Sequence, residues 1–384
     1  MKKILMLSTR YPFPVRKGDQ VVINNRLLIL QKKYHIDLVT FVKNSKQYTK
    51  EEKQFKNVTF HKIKFSYLVA IKKILINLFK REPFQIEIYN QKNYINYVNS
   101  LLSKNNYSKI HYILIRSSFF KSNKRIPVLL DAVDSMQLNL QQIISKSSFF
   151  KKIIYLLELK RIEYFEENKL LDFDKIWCCS VIDREYLSEN ALIYPTNFDS
   201  SIFRKKFIVK RKVKEIVFSG NLSYLPNNDA LVWFLNIFIK IKHKYPDIIL
   251  KVVGKGWHSK LNKLKKISGI IFTGEVENLI DEIYQSDLAI CPINIASGNQ
   301  TKIIEYMGVG LPMVISKKAL GGLGLTDNEN AFVVDGELTF YDRLIDLIEN
   351  YETRLNFSIK AKQIFLERYS TKVIEKKMLK NYEK

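Results

Sequence analysis

The sequence predicts two successive α/β domains, each built on a mostly parallel sheet. Three observations carry that prediction. The chain has 384 residues, more than one ordinary hydrophobic core accommodates, and two domains are the natural partition. Short apolar runs alternate with helical stretches from the first residues onward, the pattern of βα units. The alternation then restarts after Tyr194-Pro195-Thr196-Asn197-Phe198-Asp199.

In the first half, Lys3 to Ser8 reads as a buried strand and Gln20 to Lys33 as the helix that follows it. Strands are expected at Ile36 to Val42, Val58 to Lys64, Lys109 to Leu114 and Ile126 to Asp131. A long helix spans Phe149 to Leu171, and Lys175 to Cys178 with Leu192 to Tyr194 close the half. In the second half, strands are expected at Glu215 to Ser219, Ile248 to Val253, Ile270 to Thr273, Leu288 to Ile290 and Met313 to Ser316. Asn227 to Lys242 is a helix, and Glu337 to Glu349 and Thr353 to Asn381 are closing helices. The expected division is 1–195 and 196–365, with a terminal helix over 366–384 that returns to the first domain. Two such domains facing each other leave a cleft, the usual place for a ligand.

Composition narrows the function. The apolar fraction is 46%, that of a globular protein. Three cysteines, two of them adjacent at Cys178-Cys179, form no CxxC pair, so neither a zinc knuckle nor a disulfide framework is expected. The apolar run after Met1 is short and Arg10 interrupts it, which favours a first strand over a leader. The net charge is +25. Residues 1 to 150 hold 27 Lys and Arg against 8 Asp and Glu. That surplus of 19 favours anionic partners, a membrane surface or a phosphorylated lipid among them. No nucleic-acid motif accompanies the lysines, so nucleic acid is not expected.

The most informative segment runs from Ser297 to Pro312. The turn Ser297-Gly298-Asn299-Gln300-Thr301 enters a helix on which Lys302 and Glu305, three residues apart, share a face. A strand precedes and another follows, so the pair sits at the carboxyl edge of a parallel sheet, where open α/β folds bind ligands. Three glycine turns end nearby strands: Ser219-Gly220-Asn221, Gly254-Lys255-Gly256 and Thr273-Gly274-Glu275-Val276. Glycine lets backbone approach a ligand closely, and a helix N-terminus favours anionic oxygens. None of the three turns completes a dinucleotide fingerprint.

Taken together, these segments resemble the donor site of retaining glycosyltransferases of family 4, which have the GT-B fold of two Rossmann-like domains facing across a cleft. The resemblance is closest over residues 216 to 326 and looser over most of the chain. It implies a nucleotide-sugar donor, a UDP- or GDP-linked hexose, as substrate, with no separate cofactor and no metal. It places Gly220 and Asn221 near the donor phosphates, Gly254, Gly256 and Val276 beside base and ribose, Lys302 on the diphosphate and Glu305 on the ribose hydroxyls. Many relatives carry a second glutamate eight residues before the last; here Ser297 stands there. Sugar recognition then falls to the loop Ser297, Gly298, Asn299 and Gln300, and Thr301 belongs to the same donor-binding segment.

In the acceptor half, the loop Arg10 to Gln20 resembles a family segment bordering the cleft. The resemblance brings Gly18 near the donor phosphate, and Arg10, Arg16 and Lys17 are placed to meet an anionic acceptor. Leu130-Asp131-Ala132-Val133-Asp134-Ser135 resembles another segment. Its two carboxylates suit polar recognition or proton handling, with Asp134 preferred over Asp131. Arg116 stands where some branches carry a histidine, and His111 reads as structural. Between Tyr67 and Arg81, Leu68, Ile71, Leu75 and Leu78 share one face and Lys72, Lys73 and Lys80 lie nearer the other, as suits a helix in an interface plane. The reading is thus a bacterial surface-glycan transferase, for lipopolysaccharide, capsule or another glycan or lipid-linked acceptor. It would be cytoplasmic and peripheral on the anionic inner membrane. The rivals are a donor-binding protein without turnover and a sugar-nucleotide epimerase.

Overall fold

The computed structural model describes residues 1–15, 18–43, 50–123, 125–144, 147–294 and 300–383. The chain forms two compact units, Met1–Thr196 with Met378–Lys384, and Asn197–Lys377. Each is an α/β unit on an entirely parallel sheet.

The first unit holds β1 (Lys2–Ser8), β2 (Tyr34–Val42), β3 (Val58–Lys64), β4 (Ile110–Ile113), β5 (Val128–Val133), β6 (Lys175–Cys178) and β7 (Leu192–Ile193), in the order β3-β2-β1-β4-β5-β6-β7. Ile4 to Leu7 and Ile110 to Ile113 are continuously buried, as parallel strands covered on both faces must be. The helix Gly18–Leu30 covers β1 with Val22, Ile23, Leu27 and Leu30. It also brings Arg26 to Asp131 on β5, Nε to Oδ2 at 2.7 Å, both side chains fully buried. The chain order reverses between β1 and β4.

The second unit holds β8 (Glu215–Ser219), β9 (Ile249–Val253), β10 (Ile270–Gly274), β11 (Leu288–Cys291), β12 (Met313–Ser316) and β13 (Phe332–Val334), in the order β10-β9-β8-β11-β12-β13. Here the reversal falls between β8 and β11. The helix Leu225–Lys244 buries Leu231, Phe234, Ile237, Phe238 and Ile241, at the three- and four-residue spacing of one helix face.

Three elements differ from the sequence reading. The strand expected at Ile126 to Asp131 lies two residues later, which puts Asp131 inside the sheet. Strand β13 is only three residues long, too short for periodicity to reveal. The last helix is two, Tyr351–Arg368 and Thr371–Glu383. Phe198 forms a β-bridge with Ser370, and its carbonyl takes the Thr371 N–H at 2.9 Å. That amide is one a continuous helix would have used internally. The final turn inserts Tyr382 among Tyr34, His111 and Trp177, with ring centroids 5.2–5.7 Å apart.

Candidate active site

In the second unit, the carboxyl ends of β8 and β11 flank the topological switch point, the crevice in which such sheets take ligands. The helix Thr301–Val309 follows β11 and lies against β8. Tyr306 fixes it there: its hydroxyl accepts the Ser219 N–H at 2.9 Å and bonds Ser219 Oγ at 2.9 Å. Lys302, one turn earlier on the same face, reaches back over β8. Its Nζ lies 4.0 Å from the Phe218 ring centroid and donates to Asn227 Oδ1 at 2.7 Å. The Asn227 amide donates in turn to the Asn221 carbonyl at 2.9 Å. The turn after β8 thereby positions the ammonium.

Gly220 is required at this spot. A Cβ there would lie 2.7 Å from Asn227 Nδ2 and 3.0 Å from Lys302 Nζ. Gly254 is required for a second reason. With φ +147°, its Cβ would stand 1.9 Å from the Gly220 carbonyl oxygen. The two turns are stacked backbone on backbone, joined by Gly220 N–H to Val253 O at 2.9 Å and Leu222 N–H to Lys255 O at 2.7 Å. Gly256 packs against Ser223 in the same way. Val276 is half-buried on the core. Asn221 is exposed, and its Oδ1 accepts the Ser223 N–H at 2.9 Å, closing the turn.

Lys302 is only 8% exposed, and among the described residues its hydrogen bond goes to a neutral amide. Burial lowers its pKa to about 8, against the opposing pull of the Cys291 thiol and Glu305. Glu305 is half-buried; burial raises its pKa to about 7, which Lys302 partly offsets. Beside them the helix starts at Thr301 after Gln300, which makes no side-chain cap, so its first amides add positive potential. Among the described residues no carboxylate lies within ion-pair distance of this buried ammonium, and a buried positive charge beside a helix N-terminus suits an anion. Ser297, Gly298 and Asn299 lie outside the described residues. Asn227 and Tyr306 were not singled out from sequence. Asn227 gives only a weak signal, seven residues past Gly220; Tyr306 gives one in its i, i+4 spacing from Lys302.

In the first unit, β4 and β5 end in paired departures from ordinary backbone. Leu114 has φ 66° and Val133 φ 67°, left-handed values that cost a bulky or β-branched residue roughly 1–3 kcal/mol each. Between Asp131 and Val133 the register of β5 against β6 also shifts. Arg116 follows Leu114 in the turn Ile115–Phe119, and Asp134 follows Val133. Burial raises the Asp134 pKa to about 7, helped by Asp183, Asp19 and Asp131 and opposed by Arg116. Asp131 itself is committed to Arg26 and ties the helix Gly18–Leu30 to the sheet. Arg10 pairs with Asp19 at 2.9 Å, which offsets part of its charge and leaves other guanidinium donors open. Arg16 and Lys17 lie outside the described residues. A Cβ on Gly18 would meet no heavy atom of the described residues within 4 Å, so their packing does not demand glycine there. His111 is fully buried against Trp177 and Tyr382.

Residues 213–350 match the family model described as glycosyl transferases group 1. A 44.6 kDa protein of the cps region of Klebsiella pneumoniae is 26% identical over 97% of this chain and 98% of its own. Sucrose-phosphate synthase from Thermosynechococcus elongatus superposes with a TM-score of 0.73 at 13% identity, covering 100% of this chain and 98% of that one. HepE of Anabaena, solved in complex with UDP and glucose, superposes with a TM-score of 0.66 at 14% identity, covering 100% of both chains. The chain therefore carries a glycosyl transferases group 1 domain at residues 213–350 within a GT-B fold, and it is a glycosyltransferase.

Proposed function

We propose that this enzyme transfers a hexosyl group, with retained anomeric configuration, from a UDP- or GDP-sugar to a glycan or lipid-linked glycan in bacterial surface-polysaccharide synthesis. The observation that carries this is Lys302, a buried ammonium at the β8/β11 switch point that, among the described residues, forms no ion pair. A diphosphate supplies the missing anion, and Glu305 accepts from the ribose hydroxyls. As the bond between sugar C1 and the β-phosphate oxygen breaks, charge grows on that oxygen. Lys302 and the amides of Thr301–Val309 stabilise it there. The acceptor hydroxyl attacks C1 on the face the phosphate leaves, and its proton passes to the departing phosphate. Asp134 and Arg116 orient the acceptor. The uridine nucleotide held by HepE favours a UDP-sugar, and the relative from a cps region favours capsule synthesis over lipopolysaccharide.

We further propose that the first unit rests on an anionic membrane. Among the described residues no helix is long and apolar enough to cross one. The helix Tyr67–Ile76, however, leaves Leu68, Ile71 and Leu75 exposed, and the helix Phe149–Lys169 leaves Phe149, Phe150, Ile153 and Ile154 exposed. The segments are neighbours: Arg161 donates to the Leu78 carbonyl at 2.9 Å, and Glu158 accepts the Phe84 and Gln85 N–H groups at 3.0 Å. Exposed Lys72, Lys80, Lys151 and Lys152 border the apolar surface. A second copy docked symmetrically would set these lysines against themselves, whereas anionic lipid neutralises them.

The deciding experiment is calorimetric binding of a nucleotide-sugar panel, with nucleotide release and product anomer followed by NMR. Selective binding of one donor with a retained product is expected. Binding of none by folded protein, or an inverted product, refutes the corresponding part.

A further inference from the structure

A groove of 520 Å³ runs along the carboxyl edge of the first sheet. It starts at Thr9 and Arg10, which continue β1 beside the β1/β4 switch point. It passes the ends of β2 at Phe41 and Val42 and of β3 at Phe65. The helix Tyr67–Ile76, through Ala70, Ile71 and Ile74, forms its far wall. Two strand spacings of ~4.8 Å make the sheet-edge part alone about 10 Å long.

The lining is segregated. The far end is aliphatic and aromatic, and the switch-point side carries Arg10 and Lys43. Lys43 is exposed and has no ionic partner among the described residues, while Arg10 is half-exposed beside Asp19. Tyr67, Ile71 and Ile74 line the groove and also stand on the exposed face of their helix, 60%, 57% and 37% exposed. The groove therefore opens onto the same apolar surface that borders solvent. A site of this size with apolar walls and few charges suits an amphiphile.

We infer that this groove binds the hydrocarbon chain of a phosphate-bearing lipid acceptor, with the phosphate at Arg10 and Lys43. The inference rests on the acceptor reading above and narrows its glycan-or-lipid choice to a lipid phosphate. Charge complementarity selects the occupant: a neutral chain leaves Lys43 without a counterion, and a soluble glycan leaves the aromatic end wet.

The test uses monomeric probes, so that membrane partitioning plays no part. Inorganic phosphate, butyl, hexyl and octyl phosphate below their micelle-forming concentrations, and octyl glucoside are titrated calorimetrically into the full chain. Affinity is expected to rise about fourfold per added methylene until the groove is filled. Octyl phosphate should bind more tightly than octyl glucoside. Ile71→Asp, at an exposed position that folding tolerates, should flatten the chain-length series. Lys43→Gln should weaken every alkyl phosphate by a similar factor. Equal affinity for inorganic and octyl phosphate, or an unchanged series in Ile71→Asp, overturns the assignment. Octyl glucoside binding as well as octyl phosphate removes the phosphate half of it. UDP-glucose binding measured on the same samples separates the two readings: if it persists while the alkyl phosphates fail, the groove assignment falls and the donor assignment stands.

Discussion

Replacing Lys302 by Met keeps the aliphatic stem over Phe218 and removes only the ammonium. Of its three N–H donors, one is spent on Asn227 at 2.7 Å, which leaves two for phosphate oxygens. A hydrogen bond between charged groups contributes about 1.5–3 kcal/mol, so losing one weakens donor binding about 10- to 150-fold. The loss should be larger in turnover, because charge on the leaving oxygen peaks in the transition state; removal of such a donor costs roughly 10²–10³ in kcat. The pH dependence follows with a definite sign. Burial holds the free ammonium at about 8, and a bound diphosphate must raise it. The Lys302 contribution to donor affinity is thus complete below about pH 8 and falls as pH rises through it. The assay is calorimetry with the preferred donor from pH 6 to 10, alongside initial rates, for both proteins. A melting scan guards against the unpaired Asn227 amide destabilising the variant. A variant within threefold of the parent, or one that keeps the decline above pH 8, would refute the assignment of Lys302 to the diphosphate.

Glu305→Gln should remove the acidic limb of the donor-affinity profile. The carboxylate forms as pH rises through about 7, so the parent should bind best between about 7 and 8 and the variant should be flat below 7. Tyr306→Phe strips the acceptor of the buried Ser219 N–H and should destabilise the fold by ~1–3 kcal/mol, read from urea unfolding, with a drop in kcat as the Lys302 helix loosens. Gly254→Ala drives a Cβ to 1.9 Å from the Gly220 carbonyl and should lower both Tm and donor affinity; an unchanged affinity would separate this turn from the site. Phe150→Asp combined with Lys151→Gln and Lys152→Gln should release the protein from vesicles containing phosphatidylglycerol; equal sedimentation with anionic and neutral vesicles argues against a membrane face.

The α/β class, the restart after Tyr194 and the placement of Lys302 and Glu305 at a sheet edge were all legible in the chain. They rest on local signals: apolar runs of strand length, glycine at strand ends, and helical spacing. Composition likewise marked the first half as the basic one. What sequence could not show is how side chains far apart in number divide their work. Of Asp131 and Asp134, three residues apart, the sequence favours the second but does not say what the first one does. A two-residue shift of β5 and the turn at Val133 commit the first to Arg26, 105 residues away, and leave the second at the edge with a pKa near 7. Gly254 reads as a ligand turn, yet its neighbour is the Gly220 carbonyl, because adjacent parallel strands bring their end turns together. Asn227 and Tyr306 have no motif of their own; they matter only because the order β8-β11 lays one helix across another strand's end. Pattern records the period of burial along the chain, whereas pairing between distant residues is set by topology, and topology alone decided which charges are spent on the fold and which remain for a substrate.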